Sequence, residues 1–299
     1  MVDLLIPTIS QGLIWSILAL GVYLTFRVLD IADLTVEGTF PLGAAVAASM
    51  LVNGSSPFVA IFGAGIAGML GGVITGILHT KLKIPALLAG ILTMIALYSV
   101  NLRVMGKANL SMLRIDTIFT LFTGYGLDNQ MAVLVVGLLS TIFFMFLMYW
   151  FFGTEIGAAI RATGDNQQMI RANGVNTDFT IILGLLLSNG LVAISGALVA
   201  QSNGFADVGM GVGTIVIGLA SVIIGEVLFG TRSFYNWLIS VVLGSIVYRI
   251  VIAVVLQLGM PPNDLKLFTA VLVALALSMP LFRSKLSERR RRSMQNAQN

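Results

Sequence analysis

Cysteine is absent from all 299 residues, which removes disulfides, thiolate metal sites and cysteine nucleophiles and says little about compartment. Charge is scarce as well. Asp, Glu, Lys and Arg make up 10% of the chain, against roughly a quarter of a soluble domain. The lone histidine, His79, has no H-E-x-x-H around it to hold zinc, and no G-x-x-x-x-G-K-[ST] run cradles ATP phosphate. Catalytic, metal and cofactor-binding residues are therefore expected to be none, and the chain reads as a non-enzyme. Any ATP that drives it binds another chain.

What is present is apolar. The chain is 57% hydrophobic with a mean hydropathy of +0.97, the composition of a polytopic membrane protein. Its net charge of +4 resembles nucleic-acid bait, yet Arg283, Lys285 and Arg289–Arg292 directly follow the last apolar run. Basic residues there hold a chain end in the cytoplasm, and no aromatic-basic surface offers itself to nucleic acid. At the other end Ile9–Val28 is too long for a signal-peptide core and is expected to remain as a span.

Runs of about 20 apolar residues predict nine spans: Ile9–Leu29, a broken element Ile31–Val52, Phe58–His79, Pro85–Val104, Ala132–Phe152, Phe179–Ser202, Gly211–Gly230, Trp237–Leu258 and Leu265–Phe282. The expected fold is an all-α helical bundle in the lipid bilayer, one transmembrane domain over 1–299. If the polar interruption Gly153–Asp178 is inside, so are Arg27, Lys81, Lys83, Arg232 and the basic tail 283–299. That side then holds twelve of the 17 Lys and Arg, which favours N-terminus out and C-terminus in.

Faint repeats run collinearly along the chain. Ile31-Ala32-Asp33-Leu34 recurs as Phe205-Ala206-Asp207-Val208, Met69–Val73 aligns with Val242–Ile246, and Pro85 and Thr93 answer Pro261 and Thr269, at offsets of 174, 173 and 176. With one connecting span, 132–152, between a first set of four (9–104) and a second (179–282), the sets must be inverted relative to each other, a common transporter plan. Gly68, Gly72 and Gly76 would let one helix approach a neighbour closely.

The longest polar interruption, Gly153–Asp178, has helical grammar. Asp165 with Gln168 three residues on is a capping-box pattern, and Gly164 and Gly174 bracket the segment, so a short helix to Thr163, a break and a second helix over Asn166–Asn173 are expected. Arg161 and Arg171 are expected to be exposed, with Ile160, Met169, Ile170 and Val175 forming an apolar knob. The plain alternative is a solvated loop that only fixes topology.

This stretch resembles the coupling loop of permeases of bacterial ABC importers of the branched-chain amino acid and ribose type. Their pattern R-A-x-G-x-N-x-x-x-[AR]-x-x-x-G-[IV]-N is met by Arg161, Ala162, Gly164, Asn166, Arg171, Gly174, Val175 and Asn176. Segments such as Leu187–Leu198, Gly218–Gly225, Ile31–Gly38 and Ile84–Ala89 extend the resemblance over most of the chain. It implies a cytoplasmic ABC ATPase and an extracytoplasmic solute-binding protein as partners, a bacterial plasma (inner) membrane location, and coupling residues Gly157, Arg161, Ala162, Gly164, Asp165, Asn166, Met169, Arg171 and Gly174. The chain is most similar to the subgroup with a single permease and a binding lipoprotein, implying a second permease copy. Gly225-Glu226 stands where sugar and branched-chain permeases tend to show Gly-Gly, which points away from sugar, and resemblance to the subgroup implies an amino acid or similar small polar solute.

Ionisable residues inside spans are costly and need a reason. Asp33, Glu37, Gly38 and Pro41, with Asp207, Gly211 and Glu226, are the candidate pathway or helix-break residues. Depth along the spans separates Glu226 from Arg249, so these two are not expected to pair. The competing function is an ion-coupled secondary transporter using Asp33, Glu37 and Asp207.

Overall fold

The computed structural model describes residues 2–124, 126–259 and then 261, 264, 265, 267–271, 273–275 and 278. Part of the expected span Leu265–Phe282 and all of the tail 283–299 lie outside the described residues. Among the described residues seven helical stretches are long and apolar enough to cross a membrane. They are α1 (Val2–Tyr23, continued by a π-helical turn, Leu24–Val28), α3 (Pro57–Thr80), α4 (Ala86–Met105), α6 (Asn129–Phe152), α9 (Thr177–Asn203), α10 (Thr214–Phe229, led in by a 3-10 turn, Val208–Gly211) and α11 (Phe234–Gln257). The expected broken element becomes a shorter apolar helix, α2 (Val36–Val52). Nine spans were expected; the described residues hold these seven and α2.

The described residues form the expected helical bundle apart from one short ribbon. Strands β1 (Asn109–Ser111) and β2 (Phe205–Asp207) pair antiparallel, Asn109 opposite Asp207 and Leu110 opposite Ala206. Beside this ribbon lies α5 (Ile118–Thr123), closed by a capping box of Thr117 and Thr120.

Burial sorts the helices. In α9 72% of the span is buried and in α1 67%, against 28% for α4 and α6; the first two are the centre and the last two face outward. The central pair is antiparallel and stitched by hydroxyls. Ser188 Oγ donates to the Gly21 carbonyl at 2.8 Å, Ser195 Oγ to that of Ile14 at 2.9 Å, and Gln11 Nε2 to Ser202 Oγ at 3.2 Å. Such bonds are how apolar helices lock together where no water competes.

Each central helix then packs on helices distant in sequence. A Cβ at Gly68, Gly72 or Gly76 of α3 would strike Asn189, Leu185 or Ile182 of α9, so the small-residue stripe serves the close approach its spacing predicts. On the other side α11 lies against α1, with Ser245 Oγ donating to the Gly12 carbonyl at 2.9 Å. Thr75 Oγ1 of α3 donates to Thr93 Oγ1 of α4 at 2.8 Å, while Tyr248 Oη of α11 and Thr269 Oγ1 share a hydrogen bond of 3.2 Å.

The two ends of the bundle differ. One carries the ribbon; the other carries the polar helices α7 (Glu155–Asp165) and α8 (Gln167–Ala172). Arg27, Lys81, Lys83, Arg171 and Glu226 all gather at this loop end, with Lys81 Nζ donating to Asp178 at 2.9 Å. Arg27, Lys81, Lys83 and Arg171, assigned to one side from sequence, therefore share one end, while the tail 283–299 lies outside the described residues.

Candidate functional site

The loop end is built on two capped helices. Thr154 Oγ1 accepts from Gly157 N at the start of α7, and Asn166 Oδ1 accepts from Met169 N at the start of α8. The cap is thus Asn166 and not Asp165, which is the exposed last residue of α7. Gly164 does not mark the break either. It lies within α7, where a Cβ would run into the Val28 carbonyl, so it is the contact that seats α7 on the π-helical turn. Gly157 does the same against Phe151. Gly174 does end α8, with φ +84.

The loop's side chains divide in a way the pattern did not foretell. Ile160 and Ile170 are buried inward, whereas Ile156 and Met169 are 49% and 55% exposed. Arg171 is exposed as expected, donating to Thr177 Oγ1, and Ala162 is half-buried. Arg161 is not exposed. Its guanidinium lies 5.3 Å from the Phe234 ring centroid and its Nε is buried with no hydrogen-bond partner.

Glu226 joins this end. Arg27 forms a two-pronged ion pair with it through Nε and Nη2, and Trp237 Nε1 donates to it at 2.9 Å. Tyr23 packs edge-on against Trp237, so α1, α10 and α11 are tied directly behind α7. Arg249 is elsewhere, stacked 4.0 Å over Trp15, and is not paired with Glu226. Sequence reasoning missed the Arg27–Glu226 bond because nothing local signals a partner 199 residues away.

A second constellation lies halfway along α9. Asp33 is 2% exposed; Oδ1 accepts from Thr35 N at 2.9 Å and Oδ2 from Asn189 Nδ2 at 2.7 Å, while Thr39 Oγ1 bonds Asn189 Oδ1. These bonds fix where α2 begins. Asp207 makes the same turn at the ribbon, accepting from Gly209 N at 2.7 Å, but is only half-buried and also takes Asn109 Nδ2. Its chain then enters the bundle, where Gly211 lies so close to the Glu37 carbonyl and Pro41 that no Cβ fits.

As a result the first turns of α2 and α10 meet. Glu37 Oε1 accepts from Gly213 N, the N-cap of α10, at 3.0 Å. A helix N-terminus carries roughly half a positive charge, which is what lets a carboxylate stand there. Glu37, Gly38 and Pro41 line a cavity of about 440 Å³ shared with Tyr98, Asn101 and Val212. Of the seven candidate pathway positions, Glu37, Gly38, Pro41 and Gly211 come together, whereas Asp33 is held by Thr35 and Asn189 where α2 begins, Asp207 sits at the ribbon end and Glu226 at the loop end. Asn101 and Tyr98 were not foreseen, since a polar residue in an apolar run reads by default as helix packing.

A bundle of apolar helices, two of which begin in its middle, closed at one end by a folded polar loop, is a multi-pass membrane protein. The chain belongs to the family described as branched-chain amino acid transport system / permease component, whose model matches residues 4–277. It is 42% identical to a tyrosine transport system permease protein of Clostridioides difficile (strain R20291), over 90% of this chain and 88% of that one. An uncharacterized protein of Rickettsia prowazekii (strain Madrid E) is 36% identical, over 92% and 97%. A ribose import permease protein of Escherichia coli (strain K12) is 26% identical over 64% of this chain and 59% of its own.

Proposed function

We propose that this chain is the membrane subunit of an ATP-driven importer of amino acids, in which a second copy completes the pore and a binding protein delivers solute at the ribbon end. A separate cytoplasmic ATPase docks on α7 and α8. The observation that carries the reading is the pair of short helices, each with its own side-chain cap and the first seated by Gly157 and Gly164, that turns Ile156 and Met169 outward. A loop that only fixed topology has no use for such construction. Family membership implies the ATPase and binding-protein partners, and the tyrosine transport relative supports an amino-acid solute.

Inverted halves fit this mechanism, because rocking one half against the other switches access. They are supported by four correspondences: the twin turns at Asp33 and Asp207, antiparallel α1 and α9, α3 on α9 matching α11 on α1, and Thr75–Thr93 matching Tyr248–Thr269. An ion-coupled transporter is the weaker reading. Asp33 has both oxygens engaged by Thr35 and Asn189, and Asp207 is engaged by Gly209 N and Asn109 Nδ2.

Met169→Glu tests the docking. The side chain is exposed, so the fold survives; co-purification of the ATPase and uptake in proteoliposomes are expected to fall at least tenfold together. Undiminished uptake would count decisively against the docking face.

A further inference from the structure

At the loop end, where α3 stops and α4 and α9 start, a shallow cleft of about 370 Å³ is lined by Lys83, Arg171, Gly174, Asn176 and Asp178 with their neighbours. Lys81 stands beside it, its Nζ bonded to Asp178 at 2.9 Å. Three cations thus gather around one carboxylate, which leaves an excess of two positive charges.

Pairing within the chain does not use that excess. Lys83 is exposed and makes no hydrogen bond or ion pair among the described residues. Arg171 gives Nε and Nη2 to Thr177 Oγ1 and comes no nearer to Asp178 than 3.7 Å, so its Nη1 is without a partner among the described residues. Asn176 adds a donor. Its Oδ1 accepts from Asp178 N and Phe179 N, which leaves Nδ2 as the unengaged half of the amide. The link that carries both lysines is also held in place, because His79 Nδ1 donates to the Ile84 carbonyl at 2.8 Å.

Depth and surroundings say which anion fits. Three membrane-spanning helices end at the cleft, so it lies level with lipid head groups. Leu82, Leu87 and Phe179, each within a few residues of the cleft or its lysines, are exposed. Apolar side chains left uncovered at the ends of membrane helices mark contact with lipid. A soluble phosphate has no use for them, whereas a phospholipid needs both the cations and the apolar rim. Basic pockets between membrane helices are an established way of holding anionic head groups.

We infer that this cleft binds the head group of an anionic phospholipid from the loop-side leaflet, its phosphate between Lys83 and Arg171 with Asn176 Nδ2 donating, and its acyl chains along Leu82, Leu87 and Phe179. The inference rests on the chain being a membrane protein and not on the importer reading.

The test uses the full-length protein in mixed micelles holding equal amounts of phosphatidylglycerol and phosphatidylcholine with the same acyl chains, and native mass spectrometry counts the lipid retained. Phosphatidylglycerol is expected to be preferred. Lys83→Gln and Arg171→Gln are each expected to cut the preference about fivefold, the worth of one basic residue at a membrane surface. Lys83→Arg is expected to keep it, as is Lys107→Gln, an exposed lysine at the ribbon end. Excess inorganic phosphate is expected to leave the lipid bound. Lys83 is exposed and unbonded, so its variants keep the fold even if loss of the Thr177 bond unfolds Arg171→Gln.

Equal retention of the two lipids, or a preference unchanged by Lys83→Gln, would overturn the proposal. Displacement by inorganic phosphate would overturn it in favour of a soluble anion. Capture of the ATPase is measured on the same variants: if Lys83→Gln abolishes capture and leaves the lipid preference intact, the cleft is a protein contact and the lipid site falls.

Discussion

The turns at Asp33 and Asp207 are built alike, each with a carboxylate accepting the backbone N–H two residues on, yet they do different jobs. Asp33 is buried and bonded to Asn189 of the central helix, so it sets the depth at which α2 begins. Asp207 is half-buried at the ribbon, where its bonds are solvent-accessible, and shapes the entry of the chain toward α10. Sharing a local motif, the two differ in how much else depends on it. A turn costs little to lose where water can replace its bonds and much where it cannot.

The largest effect that tests this contrast is Asp33→Ala, expected to lower stability by about 3 kcal/mol, since buried donors on Thr35 and Asn189 lose their acceptor. Unfolding by denaturing detergent reads the loss; a value no greater than that of the Asp207 variant would erase the contrast. Gly211→Val comes next, at about 2 kcal/mol, because a side chain there must displace the Glu37 carbonyl and Pro41. Smallest is Asp207→Ala, at about 1 kcal/mol, the usual cost of removing a cap. A larger loss would mean that the ribbon stabilises the bundle more than its exposed bonds suggest.

Much of the helix layout was legible because crossing a bilayer demands long apolar runs. Phe58–His79 became Pro57–Thr80 and Pro85–Val104 became Ala86–Met105. The broken element was marked by Gly38 and Pro41, although the break proved to lie before Val36, at the bonds of Asp33. Loop helices were legible from their polar caps to within a residue or two, Asn166 replacing Asp165. What stayed hidden depended on partners far along the chain. Arg161 looked like a surface arginine until Phe234 came to lie beside it, and Gly164 looked like a helix stop until Val28 was seen to need its place. The three-residue ribbon carries too little pattern to be read at all.

The crossed packing of α1 and α9 has a consequence for how the molecule is made. The ribosome releases α1 first, but one of its chief neighbours, α11, begins only at Phe234, and α9, which α3 requires, begins at Thr177. These two contacts of the early helices must therefore wait until the later partners have been threaded in, although α3 can already meet α4 and α1 can meet α6. Contacts so distant along the chain form slowly, and assembly of the bundle belongs after translation rather than during it.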